Sequence, residues 1–99
     1  MIENLNQLKR ALRPGIRLQI VDHRRTECIN QLREVTWITS NGFCTKVLNQ
    51  PADKIDAMLW WGPASTWTFE NGVCSSFTYG GNRKETLIIA FRVLNEEVA

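Results

Sequence analysis

Apolar and polar positions follow two different periods along the chain. The first apolar residues recur at spacings of three and four, at Ile2, Leu5, Leu8 and Leu12. This spacing predicts a short amphipathic helix over residues 3–12, which Pro14 and Gly15 would end. From Ile16 to Val21 the period becomes two, which predicts a half-buried strand.

A short frame then occurs twice, at residues 36–45 and 66–75, and both copies read T-W-x-x-x-N-G-x-C-[T/S]. Asn-Gly between β-branched and aromatic residues indicates a hairpin, because a type I′ turn needs positive φ at both central positions. We therefore expect two similar hairpins, each with a Trp and a Cys on one face. The expected partners across the turns are Thr39 with Cys44, Trp37 with Lys46, Phe69 with Cys74 and Trp67 with Ser76.

The rest of the chain predicts more strands and one loop. Residues 28–40 lead into the first hairpin, and residues 49–63 contain two prolines and a glycine that favour a loop. Residues 85–94 are apolar on both faces, as in a central or helix-covered strand. The prediction is a single α+β domain over residues 1–99. It has a short N-terminal helix packed on a mainly antiparallel five- or six-stranded sheet built from β-hairpins.

Composition is that of an ordinary globular protein, with 43% hydrophobic and 22% charged residues. No apolar run reaches the length of a membrane span, and no secretory signal opens the sequence, so we expect a cytoplasmic protein that does not enter membranes. Three cysteines are an odd number, which argues against a closed disulfide framework.

The net charge of +2 hides an asymmetry along the chain. Residues 1–33 hold seven basic and three acidic side chains, a balance of +4, whereas residues 34–99 hold five and seven, a balance of −2. A basic N-terminal third can contact phosphate or an acidic protein, and it can equally form an ordinary solvated surface. The basic residues are Lys9, Arg10, Arg13, Arg17, Arg24, Arg25 and Arg33.

Catalytic signatures are absent from the sequence. There is no G-x-S-x-G, no glycine loop for phosphate and no H-E-x-x-H. His23 is the only histidine, so it is the only imidazole base that a cysteine nucleophile could use. We therefore predict a binding protein and not an enzyme.

A metal site is one hypothesis for the cysteines. Together with the histidine they form a Cys3His set, which suits a structural, tetrahedral Zn²⁺. The repeated hairpins favour it, because they place two of the cysteines in matching positions. The alternative is packing as small buried hydrophobes, since no C-x-x-C pair is present. The four residues are His23, Cys28, Cys44 and Cys74.

The tryptophans suggest a core and an interface. We expect Trp37 and Trp67 to be core anchors where the hairpins pack. Trp60 and Trp61 are adjacent, so both cannot easily point inward, and an exposed Trp near arginine is typical of an interface hot spot. We predict partner binding by Trp60, Trp61, Arg24 and Arg25. The alternative is a Trp that closes over the edge of the core.

Four segments carry a resemblance to a known group of proteins. They are L-K-R-A-L-R-P-G at 8–15, E-C-I-N-Q-L-R-E-V at 27–35, T-S-N-G-F at 39–43 and G-P-A-S-T-W-T-F at 62–69. They resemble segments of small uncharacterised proteins of Gram-positive phages and integrative elements. The last one is similar to the G-x-A-S-x-W-x-F segment of those proteins. Small proteins of such elements include the anti-CRISPR proteins.

The resemblance implies a protein that binds and inhibits a host defence protein. The expected target is a Cas9-type nuclease, which depends on domain motions and on loading DNA into a basic channel, so that a small bound domain can block either step. The alternative is a nucleic-acid-binding accessory protein that uses the basic N-terminal third with aromatic platforms.

Overall fold

A computed structural model describes residues 2–49, 57–80 and 83–94 of the chain. One helix is followed by seven strands. The helix α1 spans Leu5–Ala11, and the strands are β1 Arg17–His23, β2 Leu32–Ile38, β3 Gly42–Val47, β4 Ala57–Trp60, β5 Trp67–Glu70, β6 Val73–Gly80 and β7 Arg83–Val93. Two 3₁₀ turns lie at Thr26–Cys28 and Ala64–Thr66. Within the described ranges, no helix has the length and apolar character needed to cross a bilayer.

All seven strands form one antiparallel sheet in the order β4-β3-β2-β1-β7-β6-β5. The predicted α+β class with one helix is confirmed, but the sheet has seven strands instead of five or six. The additional strand is β4, which pairs with β3 inside the stretch predicted to be a loop. The prolines and the glycine of that stretch flank β4 and leave its four residues free to pair.

The helix forms where the sequence predicts it. The Asn4 side chain caps its first turn by accepting a hydrogen bond from the backbone N–H of Gln7 at 2.9 Å. Leu5 and Leu8 of α1 and Leu12 just beyond it are buried against the sheet. The predicted apolar stripe is therefore the surface that joins helix and sheet.

The sheet is strongly curved. Phe43 of β3 and Phe91 of β7 have ring centroids 6.1 Å apart, although two strands lie between them. In a flat sheet those strands would be about 14 Å apart, because neighbours are spaced about 4.8 Å. The pairs β1–β7, β2–β3 and β6–β7 each contain a register shift, with the extra residues in β1, β2 and β7, and bulges of this kind bend strands. The curvature creates a concave inner face, which holds the core, and a convex outer face.

The core is built around aromatic rings on the inner face. Trp61 packs on Phe43 with ring centroids 5.0 Å apart, and the Trp67 indole N–H donates to the Trp61 carbonyl at 2.6 Å. Burial of Trp67 confirms the prediction of a core anchor. The predicted central strand is also confirmed, because β7 lies inside the sheet and Ile89, Ala90 and Phe91 are consecutively buried.

The second hairpin matches its prediction. Asn71 and Gly72 have φ of 53° and 78°, as a type I′ turn requires, and Phe69 lies opposite Cys74. Trp67 lies opposite Ser76, also as predicted.

The first hairpin differs, because Asn41 and Gly42 do not have positive φ. Its turn is closed by the Thr39 hydroxyl, which accepts from the N–H groups of both residues at 3.1 Å. A register shift after Val35 then places Trp37, and not Thr39, opposite Cys44. The two hairpins are therefore not equivalent.

Candidate functional site

The outer face of β2, β3 and β4 carries exposed apolar side chains. Trp37, Cys44 and Met58 lie side by side in one row across the three strands, and Trp60 lies opposite Gly42 in the next row. We call Trp37, Cys44, Met58 and Trp60 the outer aromatic face. The indoles are 64% exposed at Trp37 and 63% at Trp60, which is unusual for the largest apolar side chain.

The geometry of the first hairpin creates this face. The register shift after Val35 turns Trp37 away from the core, so the prediction that Trp37 is a core anchor is wrong. On β4 the alternation of a strand separates Leu59, which packs on the core, from exposed Met58 and Trp60. The Cys44 thiol donates to the Met58 sulfur at 3.3 Å and links the row.

Charged side chains border the outer aromatic face on one side. Glu34 lies between Arg17 and Lys46 on the neighbouring strands and forms an ion pair of 3.7 Å with each. An exposed apolar patch beside a row of charges is the usual arrangement of a protein interface.

Trp61 does not belong to this surface. It is only 4% exposed, and its indole N–H donates to the Thr39 carbonyl at 3.3 Å. The expectation that one of the adjacent tryptophans is exposed is met by Trp60. Trp61 is a core residue, so the predicted partner contact at Trp61 does not fit its burial.

A second candidate site is a cavity of about 200 Å³ on the inner face. No residue of α1 lines it. Its polar lining comes from the end of β1, the segment that follows, β2 and β3, as His23, Arg24, Arg25, Cys28, Arg33 and Thr45. We call this the basic cavity. The predicted partner-binding residues Arg24 and Arg25 thus lie here and not among the residues of the outer aromatic face.

Charge and burial perturb two groups in the basic cavity. The pKa of His23 is lowered by burial and further by the nearby guanidinium groups of Arg33, Arg24 and Arg25, while Glu27 acts in the opposite direction. Burial also lowers the pKa of Arg33, an effect that the adjacent Cys28 thiol partly offsets. The His23 Nδ1 accepts the backbone N–H of Arg25 at 2.9 Å, which is the bonding of a neutral imidazole.

The structure separates the predicted zinc ligands. His23 and Cys28 line the basic cavity, Cys44 lies on the outer aromatic face, and Cys74 is buried opposite Phe69. Among the described residues, no group of three or more His, Cys, Asp or Glu side chains could hold a metal ion. The equivalence of Cys44 and Cys74, on which the zinc hypothesis depended, is lost with the changed register of the first hairpin.

The basic residues of the N-terminal third are also dispersed. The Lys9 ammonium lies over the Trp61 ring at 5.4 Å from its centroid, and Arg17 pairs with Glu34. Arg24, Arg25 and Arg33 are together at the basic cavity.

Two features of these sites escaped prediction from the sequence. The exposure of Trp37 was not predicted, because a type I′ turn was assumed for the first hairpin. Arg33 precedes buried Val35 by two positions, so the period of a strand already places it on the inner face. An arginine at an inward position was the available signal for the basic cavity.

Comparisons with protein-family models, with curated proteins and with solved structures find no match to this chain.

Proposed function

We propose that this chain is a non-enzymatic binding protein that inhibits a host defence protein, with a Cas9-type nuclease as the target class. The observation that carries the proposal is the outer aromatic face. Tryptophan is the residue most enriched among interface hot spots, and two indoles more than 60% exposed keep a large apolar area in water.

The partner surface can be described from the chemistry of this face. It needs an apolar depression that accepts Trp60 and Trp37, and charged groups at its rim that match the row of Arg17, Glu34 and Lys46. The supporting strands are hydrogen-bonded to one another, so the indoles are presented on a rigid support and little backbone ordering is needed on binding.

Inhibition would follow from occupancy alone. A Cas9-type nuclease must load DNA into a channel and then move a nuclease domain before it cleaves. A bound domain of this size blocks either step without chemistry of its own, which agrees with the prediction that the chain is not an enzyme.

The experiment measures binding and inhibition with matched variants. The tagged chain is used to capture proteins from a Gram-positive host lysate, and a captured nuclease is then assayed for DNA cleavage with and without the purified chain. Trp60→Ala and Trp37→Ala should each weaken binding by about 2 kcal/mol, or about 30-fold in Kd. Leu94→Ala removes another exposed apolar side chain, outside the outer aromatic face, and should bind like wild type.

Three results would contradict the proposal. Tryptophan variants that bind and inhibit like wild type would exclude the outer aromatic face. A captured protein that keeps full activity would exclude inhibition. Capture of nucleic acid with a steep salt dependence would favour the nucleic-acid-binding alternative.

A further inference from the structure

Positive charge converges at the basic cavity. His23, Arg24, Arg25 and Arg33 line it, and the three arginines act on the histidine as nearby like charges. Glu34 follows Arg33 in the chain, but it pairs with Arg17 and Lys46 on the outer face. The other acidic neighbours in the chain are Asp22, whose carboxylate accepts the His23 backbone N–H at 2.8 Å, and Glu27. Two carboxylates against three guanidinium groups leave a net positive cluster.

Arg33 is the buried member of this cluster. It is 8% exposed, and its Nε and Nη2 both donate to the Gln31 side-chain oxygen at 3.0 and 2.7 Å. That acceptor is neutral, and within the described ranges no carboxylate forms an ion pair with Arg33. Burying a cation without a counter-charge is costly, so an anion beside Arg33 would be favourable. The Cys28 side chain is a further hydrogen-bond partner of Arg33. Since a guanidinium group has five N–H donors, the contacts with Gln31 and Cys28 leave donors for such an anion.

The Thr45 hydroxyl is an independent observation that points to a ligand in this cavity. It is 3% exposed, and its hydroxyl is buried without any hydrogen-bond partner. Thr45 lies opposite Val35, so it is the diagonal neighbour of Arg33 on the inner face, and it lines the same cavity. A buried hydroxyl without a partner costs about 1–3 kcal/mol, which an acceptor atom of a ligand would recover.

We propose that the basic cavity binds the phosphate group of a small phosphate monoester. In this arrangement Arg33 donates to the phosphate oxygens and Thr45 donates its hydroxyl proton, while Arg24 and Arg25 add charge at the cavity. A phosphate is favoured over a carboxylate because its second negative charge matches several cations. This site goes beyond the proposed protein-binding function. Its polar residues are not part of the outer aromatic face, although Met58 of that face also lines the cavity.

The remaining lining indicates the rest of the ligand. Phe43, Leu59 and Ile89 contribute apolar surface to the cavity. A cavity of about 200 Å³ is smaller than the roughly 300–1,000 Å³ of sites for drug-sized ligands. The ligand class is therefore a phosphate joined to a compact apolar group.

The test uses phenyl phosphate, inorganic phosphate and benzoate at matched ionic strength, with sodium chloride as reference. Calorimetry should show saturable binding of one phenyl phosphate per chain. Its Kd should be at least about fivefold lower than that of inorganic phosphate, because the ring covers apolar lining, and also lower than that of benzoate. The melting temperature should rise with each bound anion.

Variants separate a binding role from a structural one. Arg33→Met should weaken phenyl phosphate binding by at least tenfold. Thr45→Val keeps the side-chain shape and removes the hydroxyl, so it should raise the melting temperature of the free protein and still weaken binding several-fold. Arg17→Met, on the outer face, should leave the Kd unchanged.

Four results would overturn the site. They are no saturable binding of phenyl phosphate beyond the chloride reference, equal affinity for benzoate and phenyl phosphate, an unchanged Kd in Thr45→Val, and equal losses in Arg33→Met and Arg17→Met. Thr45→Val is expected to fold better than wild type, so its Kd for phenyl phosphate still tests the site if Arg33→Met fails to fold.

Discussion

Adding one methyl group at Gly42 should be far more damaging than adding it at Gly72, although both glycines end an Asn-Gly pair. At Gly42 a Cβ would collide with the backbone carbonyl oxygen of Leu59 and would lie 3.0 Å from the Leu59 carbonyl carbon and the Trp60 Cα. These are backbone atoms of β4, so the contact can be relieved only by moving that strand away from β3.

At Gly72 the obstacle is conformational. Its φ is +78°, and the nearest atom to an added Cβ is the end of the flexible Arg92 side chain at 3.3 Å. A left-handed alanine costs about 1 kcal/mol, whereas forcing the edge strand β4 away from β3 costs about 3 kcal/mol, at the upper end for overpacking. For a domain of this size, 1 kcal/mol corresponds to a change in melting temperature of about 4–8 °C.

Thermal unfolding of Gly42→Ala and Gly72→Ala, followed by circular dichroism, measures the difference. We expect Gly72→Ala to melt about 4–8 °C below wild type and Gly42→Ala at least about 12 °C below it. Similar shifts in the two variants would contradict this expectation, because two equivalent type I′ turns would respond alike. A near-wild-type Gly42→Ala would show that β4 does not approach β3 at this point.

Three further predictions concern titration, thiol chemistry and metal. The pKa of His23 in the folded chain is lowered below 6.5, so as the pH falls the unfolded chain binds a proton at His23 first, and stability is lost below pH 6.5. His23→Asn should flatten that part of a curve of stability against pH, and an unchanged slope would contradict the prediction. The ratio of Cys28 to Cys44 alkylation should be higher with anionic iodoacetate than with neutral iodoacetamide, because of these two cysteines only Cys28 lines the basic cavity. Mass spectrometry of the peptides measures this ratio, and the same ratio with both reagents would contradict the prediction. Elemental analysis should find well below one zinc per chain, since His23, Cys28, Cys44 and Cys74 lie in three separate places; one zinc per chain would mean that they meet in another arrangement.

Periodicity predicted the parts of the fold that local sequence determines. The apolar stripe of α1, the alternation of β1 and the type I′ turn at Asn71-Gly72 each depend on residues close together in the chain, and each was found. Strand β4 was missed because four residues between breakers carry too short a pattern, and its pairing depends on β3.

The two identical-looking hairpins show where local signals fail. Asn41-Gly42 has the same two residues as Asn71-Gly72, but Gly42 is needed because the backbone of β4 lies too close to it for a side chain. The register of this hairpin also shifts after Val35, which turns Trp37 outward and separates Cys44 from the place expected for a metal ligand. Exposure of one tryptophan of the adjacent pair could be predicted, because Trp60 and Trp61 cannot easily both point inward. Exposure of Trp37 could not be predicted, because it depends on the register shift.

We propose that Trp37 and Trp60 contact the protein target, while Trp61 and Trp67 are buried in the core. Fluorine NMR of chain labelled with 5-fluorotryptophan tests it directly, because the four indoles give signals that a captured target does not obscure. A soluble paramagnetic agent should broaden the signals of Trp37 and Trp60 in the free chain and leave the other two sharp, with single Trp→Phe variants assigning each signal. Addition of the target should protect the two broadened signals. If both stay fully accessible in the complex, the target binds elsewhere and the proposed interface is wrong.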